Sequence, residues 1–531
     1  MKVAELEALL SAHEHDAWSP QLLAAHDDHD RFPAEAVAVL DEAGFGRNYV
    51  LDRDSSFPEM TALIRAVARR DLTVAIAHGK TFLGSAPVWV AGTPAQVAAH
   101  ADRVRAGEIV CWGLTERDHG ADLLAGEFAA SPVDGGWRLD GEKWLINNAT
   151  RGGAACVLAR TDPRGGARGF SVFLVDRSGL SDETWRPLPK VLTHGIRGAD
   201  ISGFTARGAI VGDDARVGEV GDGITVVLKA LQLTRIACSG LSLGAADHAL
   251  RIARDFAADR RLYGRVLADV PHVRQILGRV AATALTAEAV AVVATRSVHA
   301  LPGELSVVSA IAKAFVPTQV QRLLGSVAEL LGVRGFLTSA PGTGFAKLER
   351  DHRICGIFDG STAVNRAALL TQMPRLGRFL RSERVDAEGV RAAAHLDAGL
   401  PAFDRDRLAL TSPSGCSLVQ SLPRVASSDP DVLTEVEELA EAAAVFVPAI
   451  GGLPSTAFDL AARYERAYAV ACCLQLWSEN HQDSPLWMDG LWLRACLAVL
   501  LDRDDEEAFD AMAAVLLDWK APAFSILGEA A

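Results

Sequence analysis

The sequence predicts a mainly α-helical chain with one central β domain. Three observations predict it. Apolar residues recur at helical spacing over the first hundred positions. The period falls to about two between Glu108 and residue 218, and the helical period then returns in long runs to about residue 378.

Within residues 1–107, FPAEAVAVLDEAGFG places Pro33 near a helix start and closes on glycine, the usual asymmetry of helix ends. MTALIRAVARRDLTVAIAHGKTFLG and TPAQVAAHADRV continue the helical pattern. From 108 to 218, EFAASPVDGGWRLDGEKWLIN, AACVLART and GFSVFLVD alternate and are punctuated by Asp-Gly and Gly-Gly, as short antiparallel strands and turns do. Residues 219–380 hold long segments with few breakers, such as LTRIACSGLSLGAADHALRIARDFAADRR, and read as a helical bundle. Residues 381–531 form a fourth segment with a loop-like opening and then further helical patterns. Trp477, Trp487, Trp492 and Trp519 are its candidate core or interface aromatics.

Composition narrows the function. With 531 residues the chain needs more than one domain, and 49% hydrophobic with 23% charged residues is the balance of a soluble globular protein. No apolar run approaches the roughly 18 residues of a membrane span, and charges run through the N-terminal stretch where a signal peptide would be apolar. A cytoplasmic location is expected. None of the eight cysteines forms a C-x-x-C pair, so they read as small buried hydrophobes, and no metal site is expected. From Arg381 onward there are 11 basic and 25 acidic residues, so the whole net charge of −14 lies there. Nucleic acid and an anionic membrane are therefore poor partners, since both require a basic face.

Five words carry the chemistry. CWGLTERDHGADL is followed by LDGEKWLINN; then come ADRRLYGRVLADVPHVRQ, LLGVRGF and ERDHRICGIFDGSTAVN. In this order and spacing, over about residues 1–378, they resemble the acyl-CoA dehydrogenase family. The resemblance implies an N-terminal helical domain, a β-barrel-like middle domain and a C-terminal four-helix bundle, with FAD between domains and partly in a subunit interface. Residues 381–531 resemble, in placement and length, the helical extension of very-long-chain acyl-CoA dehydrogenases, which implies a homodimer.

By the same resemblance, Leu114, Thr115, Gly120, Leu145 and Asn147 would contact the flavin from the β domain. Arg260 and Tyr263 would meet a neighbouring subunit's FAD, Arg260 at its pyrophosphate, where a planar guanidinium suits phosphate oxygens. Glu329, Gly332, Gly335, Ser361 and Asn365 complete the cofactor set. Ala121, Gln232 and Gly360 fall at substrate positions. The implied reaction is α,β-dehydrogenation of an acyl thioester, on coenzyme A or an acyl-carrier protein. A carboxylate takes the α-proton and hydride passes to flavin N5, for delivery to electron-transfer flavoprotein or oxygen. Asp359 stands where the family has its catalytic glutamate, and Arg235 matches the active-site arginine.

Asp359 is one methylene shorter than glutamate, Ala121 replaces a serine, Asn147 a threonine, Val333 a glycine and Gln232 an aspartate. These departures point to a specialised, biosynthetic substrate. Three alternatives stay open at this stage: Asp359 as only the turn-former of its Asp-Gly pair, the chain as a flavin monooxygenase on the same fold, and the chain as a non-catalytic binding partner.

Overall fold

The computed structural model describes all residues except 53–54, 340–343, 383, 427–428, 448–451 and 529–531. The chain divides into two compact units. One comprises residues 1–56 and 73–234, the other residues 57–72 and 235–531.

The first unit opens with helices α1 (Val3–Ala12), α2 (Pro20–Asp28) and α3 (Ala34–Glu42). Ser19 caps α2 by accepting from Leu22 N–H at 3.2 Å, and Pro20 follows at the first helical position. Gly44 ends the α3 segment at φ 68°, which its missing Cβ permits. Helix α4 (Phe57–Arg70) belongs to the second unit, and α5 (Leu72–Ala91) and α6 (Pro94–Arg105) follow it. The long helical run of the sequence thus breaks at Asp71, between α4 and α5. Thr93 and Gln96 form a reciprocal capping box at the start of α6.

The sheet follows with strands β1 (Val110–Gly113), β2 (Ala129–Val133), β3 (Gly136–Asn147), β4 (Ala154–Arg160), β5 (Phe170–Asp176), β6 (Trp185–Leu188), β7 (Ile201–Gly212) and β8 (Arg216–Val217). Their order is β6-β7-β3-β2-β4-β5-β8, with β1 parallel to β4. The backbone of the sheet is the antiparallel pair of twelve-residue strands β3 and β7. Alternate residues (Phe128, Trp137, Leu139, Phe173, Trp185, Phe204) pack into one apolar core, where Trp185 stacks on Phe204 at 4.2 Å.

Helix α7 (Gly223–Asp259) enters the second unit at Arg235. After the hairpin β9 (Arg261–Leu262) and β10 (Arg265–Val266) come α8 (Pro271–Ala300), α9 (Leu305–Leu331), α10 (Val333–Phe336), α11 (Phe345–His352) and α12 (Thr362–Leu380). Helices α7 and α8 are on average apolar and long enough to cross a membrane, but 78% of each such window is buried inside the protein. Core helices account for that pattern.

The last segment adds α13 (Ala387–Ala394), α14 (Ser417–Gln420), α15 (Leu422–Val425), α16 (Pro430–Val445), α17 (Ser455–Glu479), α18 (Leu491–Leu500) and α19 (Glu506–Asp518). Helices α13, α17, α18 and α19 all pack on α8, and α16 packs on α12. Gly278 makes the closest of these approaches possible, since a Cβ there would sit 1.9 Å from the Phe509 carbonyl oxygen. Arg366 of α12 pairs bidentately with buried Glu465 of α17 at 2.8 Å. Trp487 and Trp492 are fully enclosed, with Trp477 stacked on Trp487.

A buried ion cluster ties the second unit together. Arg65 of α4 donates to both carboxylate oxygens of Asp247 on α7 at 2.8 Å and to Glu288 of α8. Glu288 also accepts from Ile526 N–H at 2.8 Å and from the Ser525 hydroxyl. Replacing Arg65 by methionine removes the cation shared by two buried carboxylates, so Arg65→Met is expected to lose about 3–5 kcal/mol of unfolding free energy in denaturant titration.

Candidate active site

In the first unit, the loop after β1 is stapled to β3. The Thr115 hydroxyl donates to the Trp144 carbonyl at 2.7 Å, and Trp144 N–H returns to the Thr115 carbonyl at 3.0 Å. Lys143, 1% exposed, donates to the Leu114 carbonyl at 3.0 Å and to Glu116 at 2.8 Å. Glu116 accepts further from the N–H groups of Glu127 and Phe128, at 2.6 and 3.0 Å. Burial alone would raise the Glu116 carboxyl, but Lys143 and these N–H groups outweigh it and hold it below its ordinary value. The loop is thereby fixed at Leu114 and Thr115, while Gly120 and Ala121 lie exposed at its far end.

Leu145 sits at a break in register between β3 and β7, with φ 57°. A bulge re-aims a side chain, and here it leaves Leu145 44% exposed where strand alternation passes from Trp144 to buried Ile146. Asn147 is buried and its amide donates to the Ile76 carbonyl at 3.0 Å. Its Oδ1 has no hydrogen-bond partner among the described residues, an acceptor available to a ligand donor. Gln232 is buried in the part of α7 that belongs to this unit.

In the second unit, Asp359 and Gly360 form a left-handed turn (φ 53° and 89°) before α12. Three buried donors pin it. Arg235 Nε reaches the Asp359 carbonyl at 3.0 Å, Asn365 Nδ2 the Gly360 carbonyl at 2.8 Å, and Lys313 Nζ the Cys355 and Gly360 carbonyls at 2.6 and 3.3 Å. Burial pushes the Arg235 and Lys313 cations below their usual values, with Asp359 acting against it in both cases. Ser361 caps α12, its hydroxyl accepting from Val364 N–H at 3.3 Å. The half-buried Asp359 carboxylate accepts one hydrogen bond among the described residues, from the thiol of Cys238 at 3.3 Å. A thiol is a weak donor, so the carboxylate is lightly engaged while its backbone is held by three donors.

The remaining positions are spread over this unit. Arg260 precedes the hairpin whose tip is Tyr263, fully exposed at φ 51°. Glu329 is exposed at the end of α9, Gly332 adopts φ 55° beside open space, and Gly335 is buried. Arg235, Asp359, Gly360, Ser361 and Asn365 are thus brought together in the second unit; Leu114, Thr115, Leu145 and Asn147 line up in the first.

Sequence reasoning missed Cys238, Lys313 and the Lys143–Glu116 pair. Lys313 left a trace, a lone cation in the apolar run AIAKAFV, whereas nothing marks Cys238 among its neighbours. The Glu116 shift also fixes a pH dependence. Its stabilisation is full above the unfolded carboxylate pKa of about 4.3 and is lost as pH falls through the lower folded value. Lys143→Met removes the charged partner, leaving only the Glu127 and Phe128 N–H groups to act against burial at Glu116. The variant is expected to unfold at lower temperature at pH 7, by about 3 kcal/mol or more. Its deficit should narrow as the pH is lowered toward 4 in thermal melts.

Two stretches of the chain match known domain families. Residues 111–207 match the acyl-CoA dehydrogenase middle domain, and residues 221–373 match the acyl-CoA dehydrogenase C-terminal domain. The probable acyl-CoA dehydrogenase FadE25 of Mycobacterium tuberculosis is 25% identical over 348 residues, covering 65% of this chain and 88% of that protein. The human mitochondrial short-chain specific acyl-CoA dehydrogenase is 26% identical over 310 residues, covering 58% and 71%. The fold is shared with a Bacillus anthracis acyl-CoA dehydrogenase solved with FAD (TM-score 0.71, 18% identity), which covers 97% of this chain and 86% of its own, so the match includes the last helical segment. Residues 111–373 thus carry, in order, segments similar to the middle and C-terminal domains of acyl-CoA dehydrogenases.

Proposed function

We propose that this protein is an FAD-dependent acyl-thioester dehydrogenase in which Asp359 accepts the proton α to the thioester carbonyl. The observation that carries the reading is the Asp359 carboxylate itself. It stands on a left-handed turn pinned by Arg235, accepts a hydrogen bond only from a thiol among the described residues, and lies within the segment that matches the acyl-CoA dehydrogenase C-terminal domain. The two domain matches support the cofactor and the oxidoreductase class.

The residues present fit FAD. The bulged Leu145 offers an exposed apolar side chain, Asn147 a buried acceptor without a partner among the described residues, and Gly332 a backbone open to close approach. Leu114, Thr115, Gly120, Leu145 and Asn147 would hold the flavin, with Glu329, Gly332, Gly335, Ser361 and Asn365 on the remainder. When bound, FAD supplies the two-electron acceptor that no side chain can provide.

The chain's own part is positioning. Arg235, Lys313 and Asn365 fix the turn so that the Asp359 carboxylate meets the α-proton without reorganising. The backbone N–H of the same residue is the proposed donor to the thioester carbonyl as charge develops there. Exposed Tyr263 and Arg260 on the hairpin after α7 support a homodimer in which each subunit serves its partner's FAD. Gln232 and Ala121, in place of the family's acidic and hydroxyl residues, favour a substrate other than a simple fatty acyl-CoA; an acyl group on a carrier protein is the proposed class. Electron-transfer flavoprotein or oxygen would then reoxidise the enzyme.

Anaerobic titration of the purified flavoprotein with acyl-CoA and acyl-carrier thioesters tests the reading. One thioester is expected to bleach the oxidised flavin. Asp359→Asn should retain bound flavin while slowing the bleaching roughly 10²- to 10⁴-fold. Bleaching at the wild-type rate in the variant would remove Asp359 from the reaction.

A further inference from the structure

A cavity of about 180 Å³ in the second unit stands apart from the residues described above. It is lined by the end of α4, the middle of α7 and the tail after α19, and its charge runs against the rest of the molecule. Arg69, Arg70, Arg251, Arg254 and Lys520 contribute five cations, and Asp247 is the one carboxylate among its lining residues. That carboxylate is engaged by Arg65 on both oxygens at 2.8 Å and also pairs with Arg69, one of the five cations, at 3.7 Å. A chain with net charge −14, whose last segment carries the whole excess, has thus placed Lys520 of that segment beside four arginines.

The wall is built. Arg254 donates to the Trp519 carbonyl at 2.7 Å and to Asp255 at 2.8 Å, which fastens the tail across the opening. The Trp519 indole donates to the Ala523 carbonyl at 2.6 Å and packs edge-on against Phe524 at 5.0 Å, giving the cavity a firm apolar side. Asp247 lines the cavity and is held from behind by Arg65. His248 also lines the cavity and reports its field. Burial first, then Arg251, Lys347 and Arg70, push its imidazole down to about 3, so it stays neutral at physiological pH.

We infer that this cavity binds a small multivalent phosphate group. Several guanidinium groups lining one cavity suit a tetrahedral oxyanion, whose oxygens their planar forks match. The space is too small for a dinucleotide and holds a phosphate or diphosphate with its first waters. Free inorganic anion and phosphate ester share this chemistry. The site would let such an anion stabilise the seam between α4, α7 and the C-terminal tail by binding the folded state alone.

The flavin-loaded, full-length protein is titrated calorimetrically with inorganic pyrophosphate and with glycerol 3-phosphate, at ionic strength held constant with KCl because exposed charges are screened. The His248 imidazole is followed by NMR in the same samples. Saturable binding of either ligand that perturbs His248 is expected, with affinity at least tenfold weaker in both Arg251→Gln and Lys520→Gln. Tighter pyrophosphate assigns a free anion, and tighter glycerol 3-phosphate assigns an ester. Heats and His248 shifts no different from those of added KCl, or affinities unchanged in both variants, overturn the proposal. Circular dichroism of the variants guards against misfolding, and substitution of the two charges by Arg251→Lys and Lys520→Arg should restore binding.

Discussion

One buried guanidinium organises the second unit. Arg65 comes from the first seventy residues, yet its partners are Asp247 on α7 and Glu288 on α8, and Glu288 in turn receives Ser525 and Ile526 from the other end of the chain. Buried charges must be paired and fully hydrogen-bonded, so this cluster has few alternative arrangements. It selects the docking of α4 onto α7 and α8, and the same contacts decide where the C-terminal tail can lie. Apolar burial around α8 supplies the bulk of the driving force; the ions supply the register.

The candidate active site uses a different constraint, backbone held in unfavourable dihedrals. Of the eight non-glycine residues with positive φ among the described residues, Leu145, Tyr263 and Asp359 fall at positions the motifs assign to cofactor or catalysis. Such conformations cost of order 1–3 kcal/mol each and persist where surroundings over-determine them. At Asp359 the surroundings are visible: Arg235, Asn365 and Lys313 all donate to carbonyls of the one loop. At Leu145 the long β3–β7 ladder continues on both sides of the bulge. In both cases the outcome is a side chain aimed where a regular element could not aim it.

The last 150 residues share a core with the bundle. Four of their helices cover α8, and Gly278 and Arg366 are residues of the bundle shaped to receive them. The acidic excess of this segment is therefore compatible with tight packing, since its buried acids, such as Glu465, are paired while the rest remain at the surface.

Much of this was legible in the residues alone. Periodicity located the β domain and the long helices because side-chain burial repeats every 2 or 3.6 residues whatever the partner. Ordered motifs resembled the family and singled out Asp359 and Arg235 as candidates, two residues that the fold brings into hydrogen-bond contact. What the sequence could not decide was long-range pairing. That α4 joins the second unit, that Cys238 and Lys313 flank the Asp359 turn, that Leu145 is bulged outward and that five cations meet beneath the tail all depend on residues tens to hundreds of positions apart. Local propensity carries no information about such partners, and only the packing of helices against one another sets their distances.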